Sequence, residues 1–166
     1  MIFVTVGTHE QPFNRLMKEI DKIALQLDNE EEIIVQYGFS TNIPEHVTEA
    51  EAFFSSEEMN QLMKRARIII THGGPSSIIE GIQLNKPVIV VPRQKKFKEH
   101  VNNHQFLFAK EMEQMKYPML VVDDIDTLSS AIEKAPELLR SRPFHSHTDV
   151  FREVNTFSDS LLSDFL

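Results

Sequence analysis

The chain has 166 residues, of which 41% are apolar, and it carries a formal net charge of -8. This length predicts one domain of ordinary size, and the apolar content excludes a disordered chain. The negative charge disfavours nucleic acid as a ligand because phosphates would be repelled, and the lack of cysteine excludes disulfides and thiolate chemistry.

The first element of the chain is the segment MIFVTVG, which is apolar over six residues and has no basic region ahead of it. It predicts a first strand rather than a signal peptide. Further β-rich runs are continuously apolar, as is typical of strands buried on both faces of a parallel sheet. No 18 apolar residues follow one another, so no segment is predicted to span a bilayer. The predicted strands are 2–6, 33–37, 52–54, 68–71, 88–91 and 120–122.

Apolar residues at three- and four-residue spacing predict amphipathic helices between these strands. Ser55 or Ser56 is predicted to cap the second helix, with serine then glutamate around positions 55 to 58 as a capping box, and Pro87 ends the third. The alternation predicts a single α/β domain, doubly wound and Rossmann-like, with a mostly parallel sheet. We place it at 1–135 and assign 136–166 to a polar connection and a last amphipathic helix, which packs on the sheet or docks on a partner. The predicted helices cover 13–27, 55–66, 77–84, 101–115 and 126–134.

The corner after the fourth strand reads THGGPSSIIEG, residues 71–81. In open α/β sheets, ligands bind where the carboxyl ends of strands meet helix N-termini with free N–H groups. Small residues would let the backbone approach a phosphate, and a glutamate one turn later could hold a ribose. A plain glycine turn with a serine cap is the alternative. The absence of G-x-x-x-x-G-K-[ST] excludes a P-loop, and the absence of G-x-G-x-x-G after the first strand disfavours NAD.

The run from His72 to Glu80 resembles the H-x-G-x-x-S-x-x-E nucleotide signature in the C-terminal half of GT-B glycosyltransferases. The opening VTVGT, the Pro92-Arg93 turn and the later EHVNNHQ strengthen this resemblance. Together, over roughly 1–135, they resemble the small single-domain catalytic subunits of two-chain UDP-sugar transferases. This group includes the soluble subunit of the dolichol-linked N-acetylglucosaminyltransferase and bacterial counterparts in capsule and exopolysaccharide synthesis. The segment THEQPF is most similar to the capsular branch.

The resemblance implies a role for each matching residue. His72 and Ser77 would contact the donor diphosphate, Glu80 would hold the ribose, and Gln105 would hold hydroxyls of the donor sugar. His104 stands where some relatives carry an acidic residue. The implied UDP-sugar site comprises Gly7, Thr8, His72, Gly73, Gly74, Ser76, Ser77, Glu80, Asn103, His104 and Gln105.

The resemblance also implies an inverting transfer of a sugar from a UDP-sugar to a lipid-linked acceptor, with galactose as the first choice. No metal or other cofactor is expected, since GT-B enzymes need none and the sequence has no D-x-D. One Rossmann domain supplies one of the two surfaces that a transferase needs. We therefore expect a membrane-bound partner subunit that presents the acceptor and keeps this cytoplasmic chain at the inner face of the membrane.

Several interpretations stay open at this point. His9, just past the first strand, is a weak candidate for a catalytic base, with a turn histidine as the alternative. Arg93 and the lysines at 95, 96 and 98 form a basic loop that could contact donor phosphates, a partner or lipid headgroups, or could simply be solvated. The chain could also be a non-catalytic nucleotide-sugar-binding module that activates a partner, or a UDP-sugar epimerase-like protein.

Overall fold

The computed structural model describes residues 1–28, 30–115 and 117–141, together with Arg152 and Thr156. Strands and helices alternate through these ranges, and short 3-10 turns occur at Lys95–Phe97 and Ile125–Thr127. The strands are β1 (Ile2–Thr5), β2 (Ile33–Gln36), β3 (Glu49–Glu51), β4 (Ile68–Thr71), β5 (Val88–Val90) and β6 (Met119–Val121). The helices are α1 (Asn14–Leu27), α2 (Ser56–Arg65), α3 (Pro75–Gln83), α4 (His104–Gln114) and α5 (Leu128–Ser141).

The strands form one parallel sheet in the order β3-β2-β1-β4-β5-β6. Ile2 of β1 is level with Ile33 of β2 on one side and with Ile68 of β4 on the other. The winding direction of the sheet therefore reverses between β1 and β4, as in a Rossmann fold. The predicted single doubly wound α/β domain is confirmed.

Both faces of the sheet are covered by helices. On one face, α1 and α5 pack on alternate strand residues such as Val4 and Ile70. On the other face, α2 packs on Phe3 and Ile69, while α3 and α4 pack on Val88 and its neighbours. Because every central strand contacts helices on both sides, its residues are buried without alternation, which explains the continuous apolar runs.

The third strand differs from the prediction, since it is Glu49–Glu51 rather than 52–54. It lies at the edge of the sheet, and both of its glutamates are exposed. An edge strand with one open side needs no continuous apolar run. A prediction from hydrophobicity alone therefore assigned the strand to residues 52–54, which follow it in the chain. The aromatic pair Phe53-Phe54 lies beyond it, on the way to α2.

Several helix bounds also differ. The capping box of Ser55 and Glu58 at the start of α2 is confirmed. Helix α3 begins earlier than predicted because Pro75 occupies its first turn, where a proline costs no hydrogen bond. Helix α5 continues through Pro136 to Ser141, although an interior proline normally ends a helix. The boundary that we placed at 135 therefore lies within α5, and the last amphipathic helix, predicted as part of 136–166, lies outside the continuously described ranges.

Candidate functional site

A cleft of about 510 Å3 opens at the carboxyl edge of the sheet, between the ends of β1 and β4. This is the position where the winding direction reverses and where open α/β sheets bind ligands. Seven of the predicted site residues line the cleft, namely Gly7, Thr8, His72, Gly74, Ser76, Ser77 and Glu80.

The N-terminus of α3 forms one wall of this cleft. Its N-cap, Gly74, has no side chain to accept a hydrogen bond, and no acidic residue lies in the first turn. By contrast, α2 is capped by its own Ser55 and carries glutamates in its first turn. The first N–H groups of α3, at Ser76 and Ser77, are therefore left for a ligand, and the positive end of the helix dipole favours an anion.

His72 lies under the cleft with only 8% of its surface exposed. A methyl group added to Gly7 would lie 2.5 Å from Cε1 of the imidazole, and one added to Gly74 would lie 2.5 Å from Nε2. The ring is packed between the two backbone segments and leaves no room for a side chain at either position, and at Gly7 a φ of +68° requires glycine as well. Besides letting the backbone approach a phosphate, as the small residues of this corner are predicted to do, Gly74 makes room for His72.

The surroundings of His72 keep its ring neutral at pH 7. Burial, and secondarily the positive charge of Arg93, lower the pKa of His72 to about 3, while a hydrogen bond with the backbone of Thr5 opposes this shift. Thr71 Oγ1 lies 3.3 Å from its Nδ1. A neutral imidazole offers one N–H and one lone pair to its neighbours.

We expect the stability of the chain to depend on pH through His72. Its folded-state pKa of about 3 lies below the ordinary value of 6.5, so the unfolded state takes up a proton first as the pH falls. The free energy of unfolding should therefore fall by up to ~1.4 kcal/mol per pH unit between these two values from this group. In His72→Gln this contribution is absent, and urea unfolding at a series of pH values measures the difference in slope. Equal slopes in the two proteins would contradict the expectation.

The cleft also contains residues that the sequence did not point to. Gln36, at the end of β2, is buried, and its amide donates to Thr5 Oγ1 at 3.1 Å while its oxygen accepts from the Phe54 N–H at 3.1 Å. These two hydrogen bonds hold the ends of β1 and β2 against the segment before α2. The sequence signal for Gln36 is a polar residue at the end of an apolar strand. Phe53 and Phe54 were not predicted as cleft residues, because the sequence prediction places them in the third strand. The further lining residues are Thr5, Gln36, Phe53, Phe54, Ser56, Met59, Asn60 and Pro75.

The predicted residues 103–105 lie beside the cleft, at the start of α4. A methyl group on Gly73, whose φ is +92°, would lie 3.3 Å from Cβ of Gln105, so the two segments are in close contact. Gln105 Oε1 is buried and has no hydrogen-bond partner. Asn103 accepts a hydrogen bond from the Lys95 N–H at 3.0 Å, and His104 begins the helix. Gly73, Asn103, His104 and Gln105 do not line the cleft itself.

The structure corrects the interpretation of Arg93. Its side chain has no exposed surface and donates hydrogen bonds to the carbonyls of Val6, Gln11 and Glu99 at 3.0, 2.7 and 3.2 Å. Its guanidinium also lies 4.8 Å from the centre of the Phe13 ring. Arg93 therefore joins the loops after β1 and β5 from the inside, and it is too deeply buried for the phosphate or partner contact that we had considered.

His9 lies close to the cleft without lining it. Its ring stacks on that of His100 with centroids 4.4 Å apart, and its Nε2 lies 3.1 Å from Gln11 Oε1. Its role as a base stays a hypothesis. Within the described residues, no group of three histidines, aspartates or glutamates is placed to hold a metal ion, and metal independence stays a prediction.

The chain matches the model of the glycosyltransferase family 28 C-terminal domain over residues 1–144. It belongs to this family. The match includes all the strands and helices given above and every predicted site residue.

Relatives of this family 28 domain include the UDP-N-acetylglucosamine transferase subunit ALG13 of Mus musculus, which is 29% identical over 118 residues. That alignment covers 66% of this chain and 10% of the mouse protein. The UDP-N-acetylglucosamine–N-acetylmuramyl-(pentapeptide) pyrophosphoryl-undecaprenol N-acetylglucosamine transferase of Clostridium kluyveri is 29% identical over 105 residues, or 61% of this chain and 29% of that protein. The chain thus corresponds to a minor part of each relative's length.

The solution structure of ALG13 resembles this family 28 domain with a TM-score of 0.63 and 17% identity. The superposition covers 92% of this chain and 94% of the other. At this identity the likeness supports the fold, which is the Rossmann-like half of a GT-B glycosyltransferase. None of the helices in the described part of the chain combines the length and apolarity needed to cross a bilayer.

Proposed function

We propose that the cleft binds a UDP-sugar and that the chain is the donor-binding, catalytic subunit of an inverting glycosyltransferase. The observation that carries this proposal is the uncapped N-terminus of α3, which forms the cleft wall together with a glutamate one turn further on. Membership of family 28 supports it.

The diphosphate is proposed to lie against the start of α3. There, Ser76 and Ser77 offer two backbone N–H groups and two hydroxyls within one helical turn. When the bond from the sugar to UDP breaks, negative charge grows on the departing phosphate. The N–H groups and the helix dipole are fixed in advance, so they stabilise this charge without reorganising.

The nucleoside is proposed to occupy the other end of the cleft. Glu80 lines it, is half-buried, and its carboxylate makes no hydrogen bond or ion pair with the described residues. A carboxylate in this state is free to accept two hydrogen bonds from a ribose diol. Phe53, Phe54 and Met59 supply an apolar wall suited to a flat base.

The donor sugar is proposed to extend towards Gln105, whose buried Oε1 lacks a partner. Rotation of the Gln105 side chain towards the cleft would let a sugar hydroxyl satisfy this oxygen. The resemblance to the capsular branch favours galactose, whereas the names of the relatives specify N-acetylglucosamine. Calorimetry with UDP-galactose, UDP-glucose, UDP-glucuronic acid and UDP-N-acetylglucosamine decides between them.

The acceptor is proposed to come from a membrane-bound partner that presents a lipid-linked hydroxyl in capsular or exopolysaccharide synthesis. The hydroxyl would attack the anomeric carbon on the side opposite the leaving UDP, which inverts the configuration. The relatives named as a transferase subunit support a two-chain arrangement. The position of this chain at the inner face of the membrane is part of the same proposal.

We expect Glu80→Ala to weaken UDP binding by about 10- to 100-fold, because hydrogen bonds to a charged group contribute roughly 1.5–3 kcal/mol each. Binding of 2′,3′-dideoxy-UDP, which lacks the diol, should be unchanged by the same substitution. Calorimetry with both nucleotides on wild type and variant measures the difference.

Glu57→Ala is the control, because Glu57 is an exposed glutamate in the first turn of α2, whose residues Ser56, Met59 and Asn60 line the cleft while Glu57 does not. It removes the same charge without touching the ribose position, and we expect UDP affinity to stay within about twofold of wild type. An equal loss for both nucleotides in Glu80→Ala would contradict the ribose role.

Transfer by the chain together with its partner distinguishes the proposed enzyme from the two alternatives. In a non-catalytic module, Glu80→Ala would weaken UDP binding without lowering transfer. In an epimerase-like protein, the donor would be converted in the absence of any acceptor. We expect transfer to fall with UDP affinity and to require the acceptor.

A further inference from the structure

The loop that follows β5 carries three lysines around one aromatic residue. We propose that this lysine loop, residues 94–101, is a docking surface for an anionic lipid membrane. It contacts the bilayer directly, in addition to any contact made through a partner subunit.

The lysine loop combines free positive charge with exposed apolar surface. Lys95, Lys96 and Lys98 are exposed and make no ion pair with the described residues, in a chain whose net charge is -8. Between them, Phe97 is 46% exposed, and Val101 is 65% exposed. Although the Phe97 ring contacts Arg15 on one side, about half of it and most of Val101 face water, and a membrane interface stabilises both the charges and this apolar surface.

Nearby acidic groups have other partners. Asp123 lies 2.6 Å from Lys110 Nζ, with which it forms an ion pair. Asp124 accepts a hydrogen bond from the Asp126 N–H and so caps the following turn. Glu99, inside the loop, is buried against Arg15 at 2.8 Å. Asp123 and Asp124 line a small pocket together with Lys96 and Phe97, but neither forms an ion pair with a lysine of the loop. The three lysines therefore stay unpaired among the described residues and can contact an external anion.

Buried contacts fix the shape of the lysine loop before any ligand arrives. Arg93 donates to the Glu99 carbonyl, and Asn103 accepts from the Lys95 N–H. The guanidinium of Arg15 lies 4.6 Å from the centre of the Phe97 ring. Lys98 has a φ of +59°, which closes the 3-10 turn. A preformed surface of this kind loses little conformational entropy on binding.

The mixture of groups favours a lipid surface over other anions. Each lysine near an anionic leaflet adds long-range attraction, and an exposed phenylalanine gains by burial at the boundary between headgroups and acyl chains. Free phosphate or a nucleotide would use the charges but would leave Phe97 and Val101 in water. An acidic protein partner is the competing occupant, which the experiment below separates.

Docking through this loop would orient the cleft, a consequence that rests on the proposed function. The segment after the loop lies beside the cleft, because Gln105 packs on Gly73, whose neighbours His72 and Gly74 line the cleft, and a methyl group on Gly73 would also lie 3.4 Å from Pro92. The end of the cleft proposed for the donor sugar would then lie close to the lipid surface. A lipid-linked acceptor would meet the sugar there.

The test is flotation of the full chain with phosphatidylcholine vesicles, with and without phosphatidylglycerol. We expect binding to the anionic vesicles alone, weakened by salt because the charges are exposed. Lys95→Glu/Lys96→Glu/Lys98→Glu should lower partitioning by at least about 100-fold, since each lost lysine contributes about fivefold and each new glutamate is repelled. Phe97→Ser should lower the binding that remains at high salt.

The matched control is Lys18→Glu/Lys64→Glu/Lys134→Glu, which changes the net charge equally at exposed lysines outside the lysine loop. It should keep most of the vesicle binding. The proposal would be overturned if the wild-type chain failed to float with anionic vesicles. In that case an acidic protein would remain as the occupant. Equal losses of binding in the two triple variants would also overturn the proposal.

UDP titration of the same variants separates this proposal from the proposed function. Lost vesicle binding with intact UDP binding in the loop variant supports the lipid surface and shows that the domain is folded. Vesicle binding by a wild-type chain that binds no UDP compound would support the lipid surface and contradict the donor site.

Discussion

Gly74→Ala will lower the free energy of unfolding by about 1–3 kcal/mol, as expected for overpacking, and will weaken UDP binding by at least about tenfold. The backbone at Gly74 has a φ of -69°, which alanine adopts freely, so conformational strain contributes nothing. The new methyl group would instead lie 2.5 Å from Nε2 of His72. Either the ring or the start of α3 must move, and both border the cleft.

The double variant His72→Ala/Gly74→Ala identifies the cause. Once the imidazole is removed, the methyl group at 74 has space, and the added cost of Gly74→Ala should fall to near zero. Urea unfolding of the four proteins in this cycle measures the coupling between the two positions. The same cost for Gly74→Ala in both backgrounds would contradict the packing explanation.

Arg93→Met is the second large effect, with an expected loss of about 3–5 kcal/mol in the free energy of unfolding, because each buried carbonyl left without a donor costs about 1–3 kcal/mol. The substitution keeps much of the side-chain volume but removes the donor from the buried carbonyls of Val6 and Glu99 and from the partly buried carbonyl of Gln11. The loops after β1 and β5 would lose their link. Chemical unfolding measured by circular dichroism provides the value.

Arg65→Met is the control for this prediction. Arg65 is an exposed arginine whose partner Glu32 is also exposed, and their closest atoms are 3.4 Å apart. Pairs of this kind contribute about 0–1 kcal/mol. A similar small loss for Arg93→Met would show that its three hydrogen bonds are not important to stability.

The fold was predictable because the sequence signals for it are local. A strand buried on both faces must be continuously apolar, and a helix on the sheet must be amphipathic, so β1, β4 and α1 were evident. The corner from His72 to Glu80 was also evident, since its residue types adjoin one another in the chain. The edge strand β3 was misplaced because its exposed Glu49 and Glu51 carry no such signal.

The contacts that build the site were less predictable, because they join distant parts of the chain. Nothing around Arg93 in the sequence shows that its donors reach the carbonyls of Val6 and Gln11, more than 80 positions away. Similarly, the need for glycine at 74 comes from the ring of His72, which also fills the space beside Gly7. Such relations become visible only when the ends of β1, β4 and β5 are brought to one edge of the sheet.

Titration of the isotope-labelled full chain with UDP, followed by the backbone amide resonances in NMR spectra, tests the donor site most directly. We predict saturable shifts that are largest for Gly74, Ser76 and Ser77, with smaller shifts at Gly7 and Thr8 across the cleft. The absence of saturable shifts, or shifts that map away from the ends of β1 and β4, would contradict the proposed UDP-sugar site.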